Sequence, residues 1–224
     1  MYKKTYVKKQ GYCLMCFKSL FEDVCIKSLI FPNKYLCDHC KGKLKEINQI
    51  EYILGVKVKY LYEYNQFMKD MIYQYKGCYD IVLKDVFLHK HKSKIKKEFK
   101  NYFVIFPPSN LKEDKKRGFN HIEEIVKGLK LKSDYMFYKE KEVKQTSLKY
   151  IDRQEIENII KIKKDKSIDR NKKYLIVDDI VTTKATLKAI IKILLKNGVS
   201  SGNISAIIIA KKADFVELWC AILL

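Results

Sequence analysis

The segment Leu175-Ile-Val-Asp-Asp-Ile-Val-Thr-Thr-Lys-Ala-Thr186 sets two adjacent carboxylates, Asp178 and Asp179, just ahead of a stretch rich in hydroxyls. Adjacent acids at the end of an apolar strand repel one another, and desolvating either costs several kcal/mol (~3 or more) unless a partner compensates. The following Thr182, Thr183, Lys184, Ala185 and Thr186 lead into a helix, where free backbone N–H groups, threonine hydroxyls and the helix dipole favour an anion. Carboxylates beside such a cradle suit a sugar phosphate, with acids on the hydroxyls and the loop on the phosphate. The plainer alternative is an N-capped helix whose preceding acids are simply solvated. A glycosidase acid/base pair fits badly, because neighbours on a strand point to opposite faces.

A second constellation lies near the N-terminus. Cys13-Leu-Met-Cys16 and Cys37-Asp-His-Cys40 are two CxxC pairs separated by 20 residues. Two such knuckles bring four thiolates to one centre, and a closed tetrahedral sulfur site suits Zn2+ in a structural role. His39, inside the second knuckle, is the alternative ligand. About fifty residues with little core of their own would fold by binding the ion. A redox CxxC would open a helix within a βαβ unit, and no such unit surrounds these residues. Cys25, Cys78 and Cys220 have no partner at ligand spacing and suit buried thiols.

The chain of 224 residues carries 46 Lys plus Arg against 26 Asp plus Glu, a net +20. Such a surplus excludes long-range steering of a cationic substrate and favours a polyanionic partner. Only three of the 46 are arginines, amid abundant Ile, Tyr and Asn, so part of the charge reflects codon bias. The first residues lack the apolar core of a signal peptide, and the longest apolar runs, Ile204–Ala210 and Trp219–Leu224, fall far short of the ~20 residues of a membrane span. A cytoplasmic protein with no membrane insertion is expected.

These groups need elements to position them. Tyr174–Val177 is an apolar strand ending at the two acids. Leu187, Ile190, Ile191, Leu194 and Leu195 then form one face of a helix capped by Thr182-Thr183 and stopped by Asn197-Gly198. Ile204–Ala210 is the next buried strand, which completes a βαβ unit with its ligand end at the strand's carboxyl edge. Upstream, Val56–Tyr62 alternates as a strand, Phe67–Tyr75 has helical spacing ending at Gly77, and Ile81–Phe99 is expected as a single helix with His89 and His91 on its surface. Tyr102–Phe106 is a buried strand running into Pro107-Pro108, Asn120 to Leu131 is helical, and Tyr135–Tyr138 is a strand candidate. Glu140–Ser167 is polar and weakly periodic. The composition shift near residue 50 divides the chain into a four-cysteine zinc-binding domain, 1–50, and a larger domain, 51–224.

The segment Leu175–Thr186 resembles the phosphoribosyl pyrophosphate (PRPP) motif of type I phosphoribosyltransferases. Pro107-Pro108-Ser109, Arg117-Gly-Phe-Asn120, Gln145-Thr146 and Arg153, together with the four-cysteine finger, resemble the ComF family of bacterial competence proteins. The resemblance implies an α/β fold with a phosphoribosyltransferase-type (Rossmann-like) parallel sheet flanked by helices, behind a small N-terminal zinc-binding domain. It further implies that Asp178 and Asp179 bind the ribose hydroxyls, that Thr182 to Thr186 wrap the 5-phosphate, and that Pro108 and Ser109 lie at the pyrophosphate, with Mg2+ accompanying PRPP. Arg117 is a phosphate or DNA contact or a structural residue, and Asn120 shares its motif. Phe119 is core or a base-stacking platform. The family's loop has glycine where this chain has Lys184, which either crowds the turn or adds a phosphate contact. The resemblance implies a competence role in handling single-stranded DNA beside a helicase or other DNA-processing partner. The alternative is an active phosphoribosyltransferase with an unidentified acceptor. No catalytic residue can be assigned from the sequence.

Overall fold

In this computed structural model, residues 11–20, 35–140, 159–181 and 184–212 are described. A six-residue helix α1 (Asp38–Lys43) follows the second cysteine knuckle, and a hairpin of β1 (Glu46–Ile53) and β2 (Val56–Glu63) comes next. Leu54 and Gly55 join the two strands with φ of 51° and 75°, and two positive φ values in a two-residue loop match the twist of the hairpin. Residue 50, where the composition shifts, lies within β1.

Helix α2 (Gln66–Lys76) is capped by the Asn65 side chain, which accepts from Met68 N–H, and buries Met68, Met71, Ile72 and Tyr75. The single helix expected over Ile81–Phe99 is instead three pieces. They are a 3-10 turn at Ile81–Leu83, α3 (Lys84–Leu88) and α4 (Lys92–Glu98). Asp80 caps the first piece by accepting from Val82 N–H. The interruption at residues 89–91 turns His91 inward, where it is buried and not on the surface, against the ring of Tyr62 at 5.2 Å. His89 stays exposed.

The remaining elements are β3 (Tyr102–Ile105), α5 (Leu111–Arg117), α6 (His121–Lys127), β4 (Ser133–Asp134), β5 (Phe137–Lys139), β6 (Ile160–Ile162), β7 (Lys173–Val181), α7 (Ala185–Lys196) and β8 (Ile204–Lys211). Of the strand candidate at Tyr135–Tyr138, only Phe137 and Tyr138 are strand, in β5, and Tyr135 and Met136 link β4 to it. β6, which pairs antiparallel with β5, falls inside the polar, weakly periodic stretch Glu140–Ser167, where no strand is expected from the sequence.

Six strands form one sheet in the order β1-β2-β8-β7-β3-β4. β2, β8, β7, β3 and β4 are mutually parallel, and only β1 runs the other way, at the edge. Apolar layers cover both faces. On one, Leu175, Val177, Ile207 and Ile209 meet α2, α3, α4 and α6. On the other, Ile176, Ile208 and Tyr60 meet the apolar side of α7. Each fully buried Leu or Ile there contributes about 1.5–3 kcal/mol. This is the expected mainly parallel α/β sheet flanked by helices, with a small four-cysteine unit in front of it. The cysteine unit is packed onto it, since Cys13, Leu20, Leu36, Cys40 and Leu44 belong to the same buried cluster as α2. Among the described residues no helix is long and apolar enough to cross a membrane.

Candidate functional site

The sequence expectation ends the strand at the two acids, but β7 continues through them to Val181. Its pairing with β3 stops at Ile176, while its pairing with β8 extends to Val181. Asp178 and Asp179 therefore lie where β7 has outrun its neighbour on one side, at the carboxyl edge of the parallel sheet. An open α/β sheet binds its ligands at that edge.

Asp179 is buried, at 8 % exposure, yet fully partnered. Lys76, at the end of α2, donates to its Oδ2 at 2.8 Å, and His121 Nε2, at the start of α6, lies 3.6 Å from the same oxygen. The other oxygen accepts from Ile180 N–H at 2.9 Å. The far ring nitrogen of His121, Nδ1, faces the Arg117 guanidinium at 3.4 Å. A guanidinium can only donate, so the geometry puts the ring proton on Nε2, toward the carboxylate. Burial alone would raise the Asp179 carboxyl, but the adjacent His121 ring and the Lys76 ammonium outweigh it and hold this group well below the usual carboxylate range. The neighbouring Asp178 is driven the other way, well above that range, by burial and then by the charge of Asp179. The two carboxyls are thus pushed apart, Asp179 toward the charged form and Asp178 toward the protonated one, the usual direction when two carboxyls share one site.

The network continues away from β7. Arg117 donates through Nε to Lys76 O at 3.2 Å and through a terminal nitrogen to Asp114 Oδ1 at 3.0 Å. Asp114 Oδ2 accepts from Ser109 Oγ at 2.5 Å and from Asn120 Nδ2 at 2.9 Å. Asn120 also caps α6, its Oδ1 accepting from Ile122 and Glu123 N–H. An unbroken polar chain therefore joins the turn after β3, which holds Pro108 and Ser109, to Asp179. Within it Arg117 is an organiser. Its side chain is only 6 % exposed and is occupied by protein groups, as are the polar atoms of Asn120 named above. Gly118 ends α5 with φ of 82°, a conformation in which a side chain would be strained. Phe119 packs on Tyr75 at 5.4 Å, on the core side of its two expected roles.

The start of α7 differs from expectation. Its N-cap is Lys184, at φ 58° and ψ 2°, with no side chain capping the helix. Thr182 and Thr183, expected to cap it, lie outside the described residues. A lysine thus stands in the left-handed region that glycine adopts freely. Its ammonium reaches across β8 and β2 to Glu51 on β1, at 2.6 and 2.8 Å from the two carboxylate oxygens. Ala185 is buried and Thr186 half-buried in the first turn of α7.

In the N-terminal unit the four thiols converge as the spacing predicts. The sulfurs of Cys13, Cys16, Cys37 and Cys40 all lie within 4.8 Å of one another, and Cys16 Sγ is 3.6 Å from Cys37 Sγ. Zinc–sulfur bonds of about 2.3 Å at tetrahedral angles require sulfurs about 3.8 Å apart, so the cluster is the right size for one metal ion. His39 is exposed and outside this group. Burial pushes Cys40 and Cys37 upward, helped by neighbouring thiols. For Cys13 backbone N–H groups outweigh burial and bring it down to about 7. A divalent ion lowers such thiols together.

Sequence reasoning placed the acids, the turn and the cysteines but missed Lys76, His121, Asp114 and Glu51. Lys76 and Glu51 lie 103 and 133 positions from their partners, and no local spacing marks them. His121 and Asp114 flank the Arg117–Asn120 motif, and that adjacency is the signal that could have found them.

Gln145, Thr146 and Arg153 lie outside the described residues, as do Cys25 and Cys220, while Cys78, expected as a buried thiol, is exposed just past Gly77. No protein-family model matches the chain. Among solved structures, the crystal structure of a hypoxanthine phosphoribosyltransferase from Staphylococcus aureus is similar at a TM-score of 0.37 and 17% identity, over 59% of this chain and 73% of that one. At that distance the likeness carries no argument about fold or activity. The sequence comparison is stronger. Competence protein ComFC of Streptococcus pneumoniae is 30% identical over 188 residues, which cover 83% of this chain and 80% of that protein. With that identity sustained over about four-fifths of both chains, the protein belongs to the ComFC family of competence proteins.

Proposed function

We propose that this protein is a phosphoribosyltransferase-type module that binds PRPP with Mg2+ and serves natural competence, with its N-terminal cysteines holding a structural Zn2+. The observation that carries the reading is the position of Asp178 and Asp179. They overhang β3 at the carboxyl edge of the sheet, between the Pro107–Asn110 turn and the start of α7. In this reading the acids take the ribose hydroxyls, Thr182 to Thr186 surround the 5-phosphate, and Pro108 and Ser109 border the pyrophosphate. Mg2+ supplies the countercharge that a pyrophosphate beside two carboxyls requires. Lys76, His121, Arg117, Asp114 and Asn120 fix the Asp179 oxygens in advance, so binding spends little on ordering them. The four sulfurs match zinc in number, softness and spacing. Single-stranded DNA is the partner that a +20 chain and a competence relative suggest, together with a helicase or another DNA-processing protein.

A calorimetric titration of the zinc-loaded protein with PRPP and Mg2+ tests the reading. Binding is expected in the wild type and not in Asp178→Ala/Asp179→Ala, whose fold is checked by circular dichroism. A folded wild type that binds neither PRPP nor its Mg2+ complex would sink the proposal.

One observation favours an active transferase as the second reading. A cleft of about 350 Å3, lined by Tyr64, Lys69, Ile72, Tyr73, Lys76 and Gly77, adjoins Asp179 through Lys76. An acceptor held there would lie beside the ribose. Its nucleophile would form the new bond to C1 as the C1–O bond to pyrophosphate breaks, and pyrophosphate would leave with the bonding pair. Release of pyrophosphate only when a candidate acceptor is added is the discriminating result.

A further inference from the structure

The start of α7 carries a second charged cluster that shares no member with the Asp179 network. Its centre is the Glu51 carboxylate, mounted on the edge strand β1. Lys184 Nζ contacts both of its oxygens, at 2.6 and 2.8 Å, and Tyr60 OH donates to Oε2 at 3.1 Å. Lys211, the last residue of β8, sets its ammonium 5.4 Å from the Tyr60 ring centroid and donates to Gln49 Oε1 at 3.2 Å. Burial raises the Glu51 carboxyl, but Lys184, Tyr60 and Lys211 together hold it below the usual carboxylate value. One ammonium and a phenol on the carboxylate, with a second ammonium against the phenol's ring, form a donor set that also suits a phosphate monoester. Here the negative group belongs to the protein itself.

We infer that Glu51 is a tethered competitor for phosphate, its carboxylate holding the Lys184 ammonium that a phosphorylated ligand must capture. The inference rests on the proposed PRPP reading and adds the control of ligand entry to it. The mounting suits the role. β1 has a neighbour on one side only, its register with β2 shifts between Glu46 and Gln49, and Asn48 sits at φ 47° beside that irregularity. An edge strand with a bulge yields locally without disturbing the parallel core. The ion pair is also partly solvated, Lys184 and Glu51 being 26% and 31% exposed, so it can be broken without burying a bare charge. An anchoring role for Glu51 predicts that its removal weakens phosphate binding. A competing role predicts the reverse.

The test is calorimetric titration of the wild type, Glu51→Gln and Glu51→Gln/Lys184→Met with inorganic phosphate and with PRPP·Mg2+. Thermal melts report whether each variant is folded. Glutamine keeps an acceptor for Tyr60 and removes the charge. Glu51→Gln is expected to bind both probes about tenfold more tightly, the gain from a competent state populated about one-tenth of the time in the wild type. The gain should vanish in the double variant. If Glu51→Gln does not fold, Glu51→Asp, too short to hold Lys184, should show a smaller gain in the same direction. Equal or weaker phosphate binding in the folded single variant overturns the inference. If phosphate tightens while PRPP·Mg2+ binds to no variant, the competitor stands and the PRPP reading falls. If PRPP·Mg2+ binds wild type and variant equally, the PRPP reading stands and the competitor falls. Binding of neither probe to any variant overturns both.

Discussion

The four-cysteine unit and the end of β7 crowd like groups together, and they relieve the crowding by opposite means. At the knuckles, four thiols lie within 4.8 Å of one another, and the donor set offers a metal ion everything it needs. At β7 the countercharge is protein. The Lys76 ammonium neutralises Asp179 and the His121 ring lies against the same oxygen, while Asp178 is pushed toward its protonated form. The difference teaches where each unit's rigidity originates. On the proposed zinc reading the cysteine unit is organised by an ion it must acquire, whereas the acid pair is organised by α2 and α6, which are already packed.

The contrast can be broken most forcefully at the metal. Cys40→Ala removes a buried sulfur, and loss of a structural ion that contributes on the order of 10 kcal/mol to its own fold should unfold residues around both knuckles. Chelator titration with a metal-sensitive dye should release one zinc per chain from the wild type and none from the variant. Retention of the metal would break the comparison at its first term. At β7, Lys76→Met leaves a buried carboxylate short of its ammonium and should cost about 2–3 kcal/mol in urea unfolding, at the low end for a broken buried pair because Lys76 is partly exposed. Adding Asp179→Asn should recover most of that loss, since it removes the stranded charge. No recovery would show that Lys76 acts through packing and not through charge.

The pH dependence sharpens the same point. Asp178 has its folded value raised, so the stability it contributes is fully present below the unfolded carboxyl value of about 4 and is lost as pH climbs through the folded value. Asp179, with its folded value lowered, contributes stability above about 4 and loses it only in stronger acid. Melting temperatures of the wild type should therefore decline from weakly acidic toward alkaline pH, and Asp178→Asn should flatten the decline. Parallel curves for the two proteins would contradict the division of charge between the acids. The smallest effect concerns the polar chain beyond. Ser109→Ala, which removes one hydrogen bond to Asp114, should cost about 1 kcal/mol. A loss three times larger in PRPP affinity than in stability would mark Ser109 as a ligand contact and not only a strut.

The β7–α7–β8 unit was legible from the chain because Leu187, Ile190, Ile191 and Leu194 keep the helical period without interruption and the flanking strands are continuously apolar. β1 was not, since an edge strand reading Glu-Ile-Asn-Gln-Ile-Glu-Tyr-Ile exposes most of its side chains and shows no buried stripe. The break between α3 and α4 was hidden for a different reason. No glycine or proline marks it, and it is fixed by the burial of His91 against Tyr62. The acids of the candidate site could be found in sequence, but their charge states could not. Those depend on Lys76 and His121, whose approach to β7 is a property of the tertiary fold.

The strand order has a consequence for synthesis. β2 has β1 on one side and β8 on the other, and Lys57 is registered with Ser205, 205 − 57 = 148 positions later. At about 5–20 residues per second, a ribosome needs roughly 7–30 s to reach that partner after β2 emerges. For that interval the hairpin presents Val58, Tyr60 and Leu61 on an unpaired edge, all of them fully buried once the sheet closes. The half of the molecule made first therefore waits on one of the last strands made, and the nascent chain is open to chaperones and to mispairing until β8 arrives.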